Sequence, residues 1–80
     1  MGRADLLLIP KPTAKYQNAL VLEFKFGKLE TDLHLLAQKA LEQIELKNYA
    51  AQIKAYKNVA STFKVGIAFG GKDVEVAFRE

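Results

Sequence analysis

The spacing of apolar residues changes from two to 3.6 and back to two along this chain, and that change limits the possible folds more than any other feature. Residues 19–26 alternate between an apolar face and a face with charged side chains, as a β-strand does. The apolar positions that follow recur at helical spacing: Leu33, Leu36, Ala37, Ala40, Leu41 and Ile44. Residues 62–69 and 73–79 alternate again, and residues 3–9 form a short apolar run. The predicted order is strand, strand, helix, strand, strand.

A helix between two pairs of strands can cover one face of a single mixed sheet of about four strands. We therefore expect an α/β (α+β) fold with one layer of helix. Thr31 is the expected N-cap of the helix. Gly70-Gly71 is the expected tight turn of the last hairpin, because a type I′ turn needs positive φ. Residues 49–57 either extend the helix or form a second short one after a break near Asn48.

The chain of 80 residues is long enough for one domain, residues 1–80, with a core that is marginal by itself. It contains no cysteine, which excludes disulfides, thiolate metal sites and thiol nucleophiles. Its longest apolar run, residues 6–9, is too short to span a membrane, and the N-terminus lacks the pattern of a signal peptide. We expect a soluble, cytoplasmic protein. The net charge of +3 suits an anionic partner but is too small to establish one.

Charged residues inside the first two apolar strands are the candidates for chemistry. Asp5 lies in the first predicted strand, and Glu23 and Lys25 lie on one face of the second. A buried carboxylate needs a partner, a metal or contact with water, because an uncompensated one is costly. In a neighbouring antiparallel strand of suitable register, Asp5 would come within roughly 5 Å of this pair. Two carboxylates can bind Mg²⁺, and a protonated lysine beside them can stabilise the charge that develops on a phosphodiester.

The sequence around these residues resembles the split motif of the PD-(D/E)xK nuclease superfamily. The segment Gly2-Arg3-Ala4-Asp5 matches its first half, and Leu22-Glu23-Phe24-Lys25 matches its second. The similarity continues through Ala40-Leu41-Glu42-Gln43-Ile44, Tyr49-Ala50 and Gly66-Ile67-Ala68-Phe69, and so covers nearly the whole chain. In this part the chain is similar to the nuclease-like domain that ends a family of bacterial and archaeal proteins with an AAA-ATPase-like N-terminal region.

The resemblance implies a restriction-endonuclease-like core and a hydrolase that cleaves phosphodiester bonds in DNA with Mg²⁺ or Mn²⁺. It implies Asp5 and Glu23 as catalytic metal ligands, and the backbone carbonyl of Phe24 as a further ligand. It implies Lys25 as the catalytic lysine. These assignments come from the motif and not from the periodicity of the chain.

Two features depart from the superfamily pattern. Gln43 and Tyr49 could support the site, but their spacing is Gln-x5-Tyr and not the Gln-x3-Tyr of the RecB-like group. The superfamily core also has a helix and a strand before the motif aspartate, so a chain with its aspartate at Asp5 resembles a truncated core. The small core and the open sheet edges favour a homodimer.

Two alternatives stay open. The chain could be a non-catalytic module with a nuclease fold that serves in oligomerisation or nucleic-acid binding. Glu23 and Lys25 could also lie on the solvated face of an edge strand, as an ion pair of little energetic value.

Overall fold

A computed structural model describes residues 6–28, 30–47 and 49–80 of the chain. The elements in chain order are β1 (Leu6–Leu8), β2 (Asn18–Phe26), α1 (Leu33–Lys47), α2 (Ala50–Ile53), β3 (Ser61–Gly70) and β4 (Asp73–Arg79). The predicted order of strands and main helix is confirmed, and residues 50–53 form a separate short helix. The proposed break near Asn48 falls on a residue outside the described ranges.

The four strands form one mixed sheet in the order β1-β2-β3-β4. β1 and β2 are antiparallel, β2 and β3 are parallel, and β3 and β4 are antiparallel. This pattern follows from the connections, because short loops join antiparallel strands whereas a crossover through a helix joins parallel ones. The predicted α+β fold class is confirmed.

Helix α1 packs on the sheet through small and branched side chains. Its buried residues are Ala37, Ala40, Leu41 and Ile44. The Asp32 side chain accepts a hydrogen bond from the Leu35 amide at 3.2 Å, and the Asp32 carbonyl accepts the first helical hydrogen bond from Leu36. Asp32 is therefore the N-cap, and the expectation that Thr31 caps the helix is wrong. The Thr31 hydroxyl instead accepts a hydrogen bond from the Lys28 amide in the preceding turn.

Gly66 of β3 lets the backbone of α1 approach the sheet closely. A Cβ atom at this position would lie 2.5 Å from the carbonyl oxygen of Ala37 and 2.7 Å from the amide nitrogen of Leu41. Both distances are shorter than van der Waals contact allows, so a side chain here would displace the helix. A glycine within a strand often marks such a close approach.

The helix covers the face of the sheet that carries the smaller side chains. Residues paired across a ladder share a face, and on this face Gly66 and Ala68 of β3 and Ala77 of β4 are buried. The same face of β2 carries Glu23 and Lys25, which are partners of Gly66 and Ala68. The helix packs on this face because small side chains let it lie close to the strands. The face that the sequence marks as apolar therefore remains on the other side.

We call this other side the open face. It consists of thirteen apolar residues: Leu6, Leu8, Leu20, Leu22, Phe24, Phe26, Phe63, Val65, Ile67, Phe69, Val74, Val76 and Phe78. The side chains of Phe26 and Phe78 on it are 79% and 73% exposed.

The two connections at the ends of the sheet differ in length. The last hairpin turns at Gly71-Lys72, since Gly70 still pairs with Asp73 and the described glycine with positive φ is Gly71, at 58°. The predicted turn was therefore placed one residue too early. Residues 9–17 connect β1 to β2, and Asn58 holds this loop by donating hydrogen bonds to the carbonyl of Pro10 and the side chain of Gln17.

No helix in the described part of the chain is long and apolar enough to cross a membrane.

Candidate active site

Strand β2 places Glu23 and Lys25 on the face of the sheet that α1 covers. Glu23 is 5% exposed, and Lys25 is half-buried. Residues two apart on one strand lie roughly 6.5 Å apart at their α-carbons, so the two side chains are close neighbours. Burial of Glu23 follows from the alternation of β2, in which Ala19 and Val21 occupy the same buried face.

The expectation of a solvated edge strand is wrong for Glu23. Strand β2 lies inside the sheet, between β1 and β3, and the carboxylate is almost fully buried. A buried charge of this kind must be compensated by hydrogen bonds, a counter-charge or a cation, because desolvation strongly disfavours it. An acidic residue kept in such a place is a candidate for function.

The residues beside this pair are small. Gly66 of β3 lies opposite Glu23, and Ala68 lies opposite Lys25. The next strand continues the two rows with Ala77 and Glu75. No long side chain from β3 therefore lies beside the carboxylate and the amine, and the backbone of α1 packs directly against Gly66.

Gln43 lies on the flank of α1 that faces β2. Glu45 contacts Lys64 of β3 and Arg79 of β4, so its side of the helix faces those strands. Position 43 is about 200° away around the helix and so points the other way, towards β2. Its side-chain oxygen is buried and has no hydrogen-bond partner among the described residues, and the same holds for the hydroxyl of Tyr49.

The structure describes only some of the other predicted site residues. Asp5, the first acid of the motif, lies outside the described residues. The backbone of Phe24 runs between Glu23 and Lys25, and its ring, on the open face, packs with Phe69 at a centroid distance of 6.1 Å. The described part of the chain therefore brings together Glu23, Lys25 and the Phe24 backbone.

The donor chemistry of this place fits a hard divalent cation. Mg²⁺ and Mn²⁺ prefer carboxylate and carbonyl oxygens, and β2 offers one carboxylate and one backbone carbonyl within three residues. Among the described residues, no three acidic or histidine side chains are grouped closely enough to hold a metal ion. A complete ligand set would thus need an oxygen donor from outside them, and Asp5 is the acid that the sequence supplies.

Sequence reasoning missed two residues around the site. Gly66 matters because its missing side chain lets α1 cross beside Glu23, and a lone glycine in an alternating strand was the available signal. Glu75 shares a row with Lys25, across Ala68, and lines a surface cavity of about 360 Å³ with Asp73. The signal for Glu75 was an acid between the alternating apolar residues Val74 and Val76 of β4, which places it on the opposite face.

A comparison with known families identifies the chain's relatives. A family model described as the PD-(D/E)XK nuclease superfamily matches residues 1–79. Searches of curated proteins and of solved structures gave no significant match. The matched range includes both predicted halves of the motif and all four strands, so the predicted superfamily is confirmed. The chain belongs to the PD-(D/E)XK nuclease superfamily.

Proposed function

We propose that this chain is a metal-dependent nuclease domain that hydrolyses phosphodiester bonds in DNA. The observation that carries the proposal is a buried acid, Glu23, followed by Lys25 on the same face of an interior strand, in a chain of this superfamily. An ion pair on a solvated surface would leave the carboxylate exposed, whereas Glu23 is buried. The proposed catalytic residues are Asp5, Glu23 and Lys25.

The proposed metal ligands are Asp5, Glu23 and the backbone carbonyl of Phe24. The register of the first hairpin supports this set, because Leu6 pairs with Leu22 and Leu7 pairs with Val21. If the same register continued by one residue, position 5 would be the partner of Glu23. The proposal requires this pairing, since side chains directly opposite in an antiparallel ladder lie roughly 5 Å apart.

In the proposed reaction, the oxygen of a water molecule bonds to phosphorus and one bridging P–O bond breaks. The water loses a proton to solvent, and the leaving oxygen takes one up. A bound Mg²⁺ or Mn²⁺ would supply Lewis-acid chemistry, polarising the phosphate and stabilising the charge that develops. The Lys25 ammonium donates hydrogen bonds, so it can orient the water and stabilise the same charge. The Glu23 carboxylate would hold the cation, with its negative charge opposing that of the metal.

The setting of this activity is also part of the proposal. The net charge of +3 favours a polyanion, and nuclease chemistry makes DNA the proposed substrate, with a cytoplasmic location. We propose that the domain acts in the context of an AAA-ATPase-like region and as a homodimer. The alternative is a non-catalytic module of the same fold, which the exposed aromatic residues of the open face favour because they suit oligomerisation.

A cleavage assay separates these two functions. The purified protein is incubated with Mn²⁺ or Mg²⁺ and with single-stranded or double-stranded DNA, beside Glu23→Gln, Lys25→Ala and Asp5→Asn. We expect cleavage by the wild type and a loss of about 10² to 10³ in rate in each variant, the usual cost of removing a group that stabilises a transition state.

The matched control is Lys72→Ala, in the exposed turn of the last hairpin. It removes one positive charge, as Lys25→Ala does, so it separates catalysis from general attraction of DNA. Cleavage that is equal in wild type and Lys25→Ala would come from a contaminant. A wild type that binds DNA but cuts neither form would establish the non-catalytic module instead.

A further inference from the structure

Positive charge is concentrated at the end of the sheet where β2 and β3 begin. Two segments meet there: the loop of residues 9–17, and residues 54–60, which lead from α2 into β3. We call these two segments the basic end, because together they contain four exposed lysines: Lys11, Lys15, Lys54 and Lys57. Neither segment contains an acidic residue, whereas Asp32 and Asp73 line a cavity at the opposite end of the sheet.

Hydrogen bonds hold the two segments of the basic end together. The Asn58 side-chain amide donates to the carbonyl of Pro10 at 3.0 Å and to the side-chain oxygen of Gln17 at 2.6 Å. The Ala60 amide donates to the carbonyl of Gln17 at 2.7 Å. The Gln17 side chain in turn donates to the carbonyl of Lys11 at 3.2 Å. The lysines of both segments therefore belong to one connected surface, on which their charges act together.

Two exposed aromatic rings lie among these lysines. Tyr16 is 70% exposed, and the ammonium of Lys15 lies over its ring, 5.5 Å from the centroid. Tyr56 is 47% exposed and lines a surface groove of about 360 Å³ with Lys54 and Lys57. Exposed rings beside basic side chains are typical of surfaces that bind single-stranded nucleic acid, because bases stack on the rings and lysines neutralise the phosphates.

We infer that the basic end binds a single-stranded segment of DNA. The choice of DNA rests on the proposed nuclease function, whereas the lysines and tyrosines indicate where the strand binds and that it is unpaired. A duplex keeps its bases stacked inside the helix, so the two tyrosines would contribute little to its binding. An acidic protein would pair with the lysines but would bring no bases to stack on the rings.

The basic end lies close enough to Glu23 for one strand of DNA to contact both. β2 begins at Asn18, and Glu23 follows five residues later. A β-strand rises about 3.2–3.4 Å per residue, so the two places lie roughly 17 Å apart. At the duplex spacing of about 3.4 Å per nucleotide this length corresponds to about five nucleotides. The basic end would therefore hold the DNA a few nucleotides away from the bond that is cleaved.

The experiment measures DNA binding by fluorescence anisotropy in EDTA, so that no cleavage occurs. The probes are a labelled single strand of mixed sequence and the duplex that it forms with its complement. We expect the wild type to bind the single strand more tightly. Replacing both lysines in Lys11→Ala/Lys57→Ala should reduce the slope of log affinity against log salt by about 1.4, at about 0.7 for each phosphate contact on a single strand.

Tyr16→Ala tests the stacking of a base on the exposed ring. It should weaken binding of the single strand about 5- to 150-fold, the usual range for the loss of one stacked base, and should affect the duplex little. Tyr16→Phe keeps the ring and should bind like the wild type. The side chains changed at positions 11, 16 and 57 are exposed, so every variant should keep the far-ultraviolet circular dichroism of the wild type.

The matched control for the lysines is Lys39→Ala/Lys72→Ala, which also removes two exposed lysines but lies outside the basic end. It should keep the salt slope of the wild type. An equal fall in slope in the two double variants would overturn the inference, because the attraction would then come from net charge. A wild type that binds no single strand, or that prefers the duplex, would overturn it as well, and so would unchanged binding in Tyr16→Ala.

Polyglutamate competition and a parallel cleavage assay separate the remaining explanations. If polyglutamate displaces the single strand at an equal concentration of charge, the basic end binds acidic proteins and the inference is wrong. If the wild type binds DNA as expected but cuts none with Mn²⁺, the proposed nuclease function fails and this inference stands. If the wild type cuts DNA and Lys11→Ala/Lys57→Ala binds as tightly as it does, the nuclease function stands and this inference fails.

Discussion

Glu23 and Gly66 are direct partners in the parallel ladder between β2 and β3, and the missing side chain of Gly66 lets α1 cross beside this pair. The helix and the acid therefore depend on the same glycine. A larger residue at position 66 would displace α1, which packs over this part of the sheet, and would not only change the strand beside Glu23.

Gly66→Ala should destabilise the fold and lower cleavage together. The new Cβ atom would meet backbone atoms of Ala37 and Leu41 at 2.5 and 2.7 Å, and backbone cannot rotate away as a side chain can. We expect a loss of about 2–3 kcal/mol in the free energy of unfolding, the upper part of the range of roughly 1–3 kcal/mol for overpacked cores. Urea denaturation monitored by circular dichroism gives this value.

Gly70→Ala is the matched control for Gly66→Ala. Its Cβ would meet only the end of the flexible Leu33 side chain, at 2.8 Å. That side chain can move, so the loss should stay below about 1 kcal/mol. Equal losses in the two variants would mean that the approach of α1 to Gly66 does not set the packing of the site.

Asp32→Ala should lower stability through the N-terminus of α1. The variant loses the hydrogen bond from the Leu35 amide and leaves that donor without its cap. We expect a loss of about 1 kcal/mol, within the usual range of roughly 0.5–2 kcal/mol for caps. This corresponds to a fall of about 4–8 °C in melting temperature for a domain of this size. Asp32→Ser keeps an oxygen acceptor and should recover most of the loss.

The neighbouring His34 provides the comparison for the cap. It is exposed within the first turn of α1, so His34→Ala should leave the melting temperature nearly unchanged. A loss in His34→Ala as large as that in Asp32→Ala would show a general sensitivity of the first turn. Failure of Asp32→Ser to recover stability would contradict the capping role.

The order of elements and the sides of the strands could be predicted from the sequence because they depend on local periodicity. Apolar alternation placed Phe24 and Phe26 on one face and Glu23 on the other, and the structure agrees. The sequence could not say which face the helix would cover. Hydrophobicity favours the face of Phe24, but α1 packs where Gly66 leaves room, and this choice depends on contacts between distant residues.

The sequence also could not determine which residue caps α1 or which glycine lies in the last turn. Thr31 and Asp32 are both good N-caps, and only the hydrogen bonds of the folded chain decide between them. Gly70 and Gly71 are alike in sequence, and the ladder register assigns the turn to Gly71. Glu23 was found as a site candidate because an acid in an apolar strand is unusual, whereas its burial required the neighbouring strands.

Glu45→Gln should destabilise the protein at neutral pH and not at low pH. The hydrogen bond from Arg79 chiefly holds the pKa of the Glu45 carboxyl below its ordinary value of 4.5, with Lys64 contributing in the same direction. A lowered pKa in the folded state means that the stabilisation is present above pH 4.5 and is lost as the pH falls through the folded-state value. Unfolding by urea at a series of pH values should show the two proteins converging in acid.

Glu42→Gln separates this ion-pair effect from a change in net charge. Glu42 is exposed on the same helix and has no ion pair among the described residues. Its variant should follow the wild type at every pH. Added salt should also reduce the difference between wild type and Glu45→Gln, since it screens exposed charges. A difference that persists in acid would assign the effect to packing.

Gln43→Met should leave the fold stable and weaken the proposed site. The Gln43 side-chain oxygen is buried without a hydrogen-bond partner among the described residues, and such a group costs about 1–3 kcal/mol. Methionine has a similar shape and no such requirement, so the free energy of unfolding should stay equal or rise by about 1 kcal/mol.

A glutamine kept at that cost should serve as a positioning residue near the ligands, so Mn²⁺ affinity and cleavage should each fall about 10- to 100-fold in Gln43→Met. Calorimetric titration with Mn²⁺ measures the affinity without any substrate. Gln52→Met, at an exposed position of α2, should change neither quantity. If Gln43→Met unfolds the protein, or if it is stable and binds Mn²⁺ as tightly as the wild type does, the glutamine belongs to the packing of α1 and not to the site.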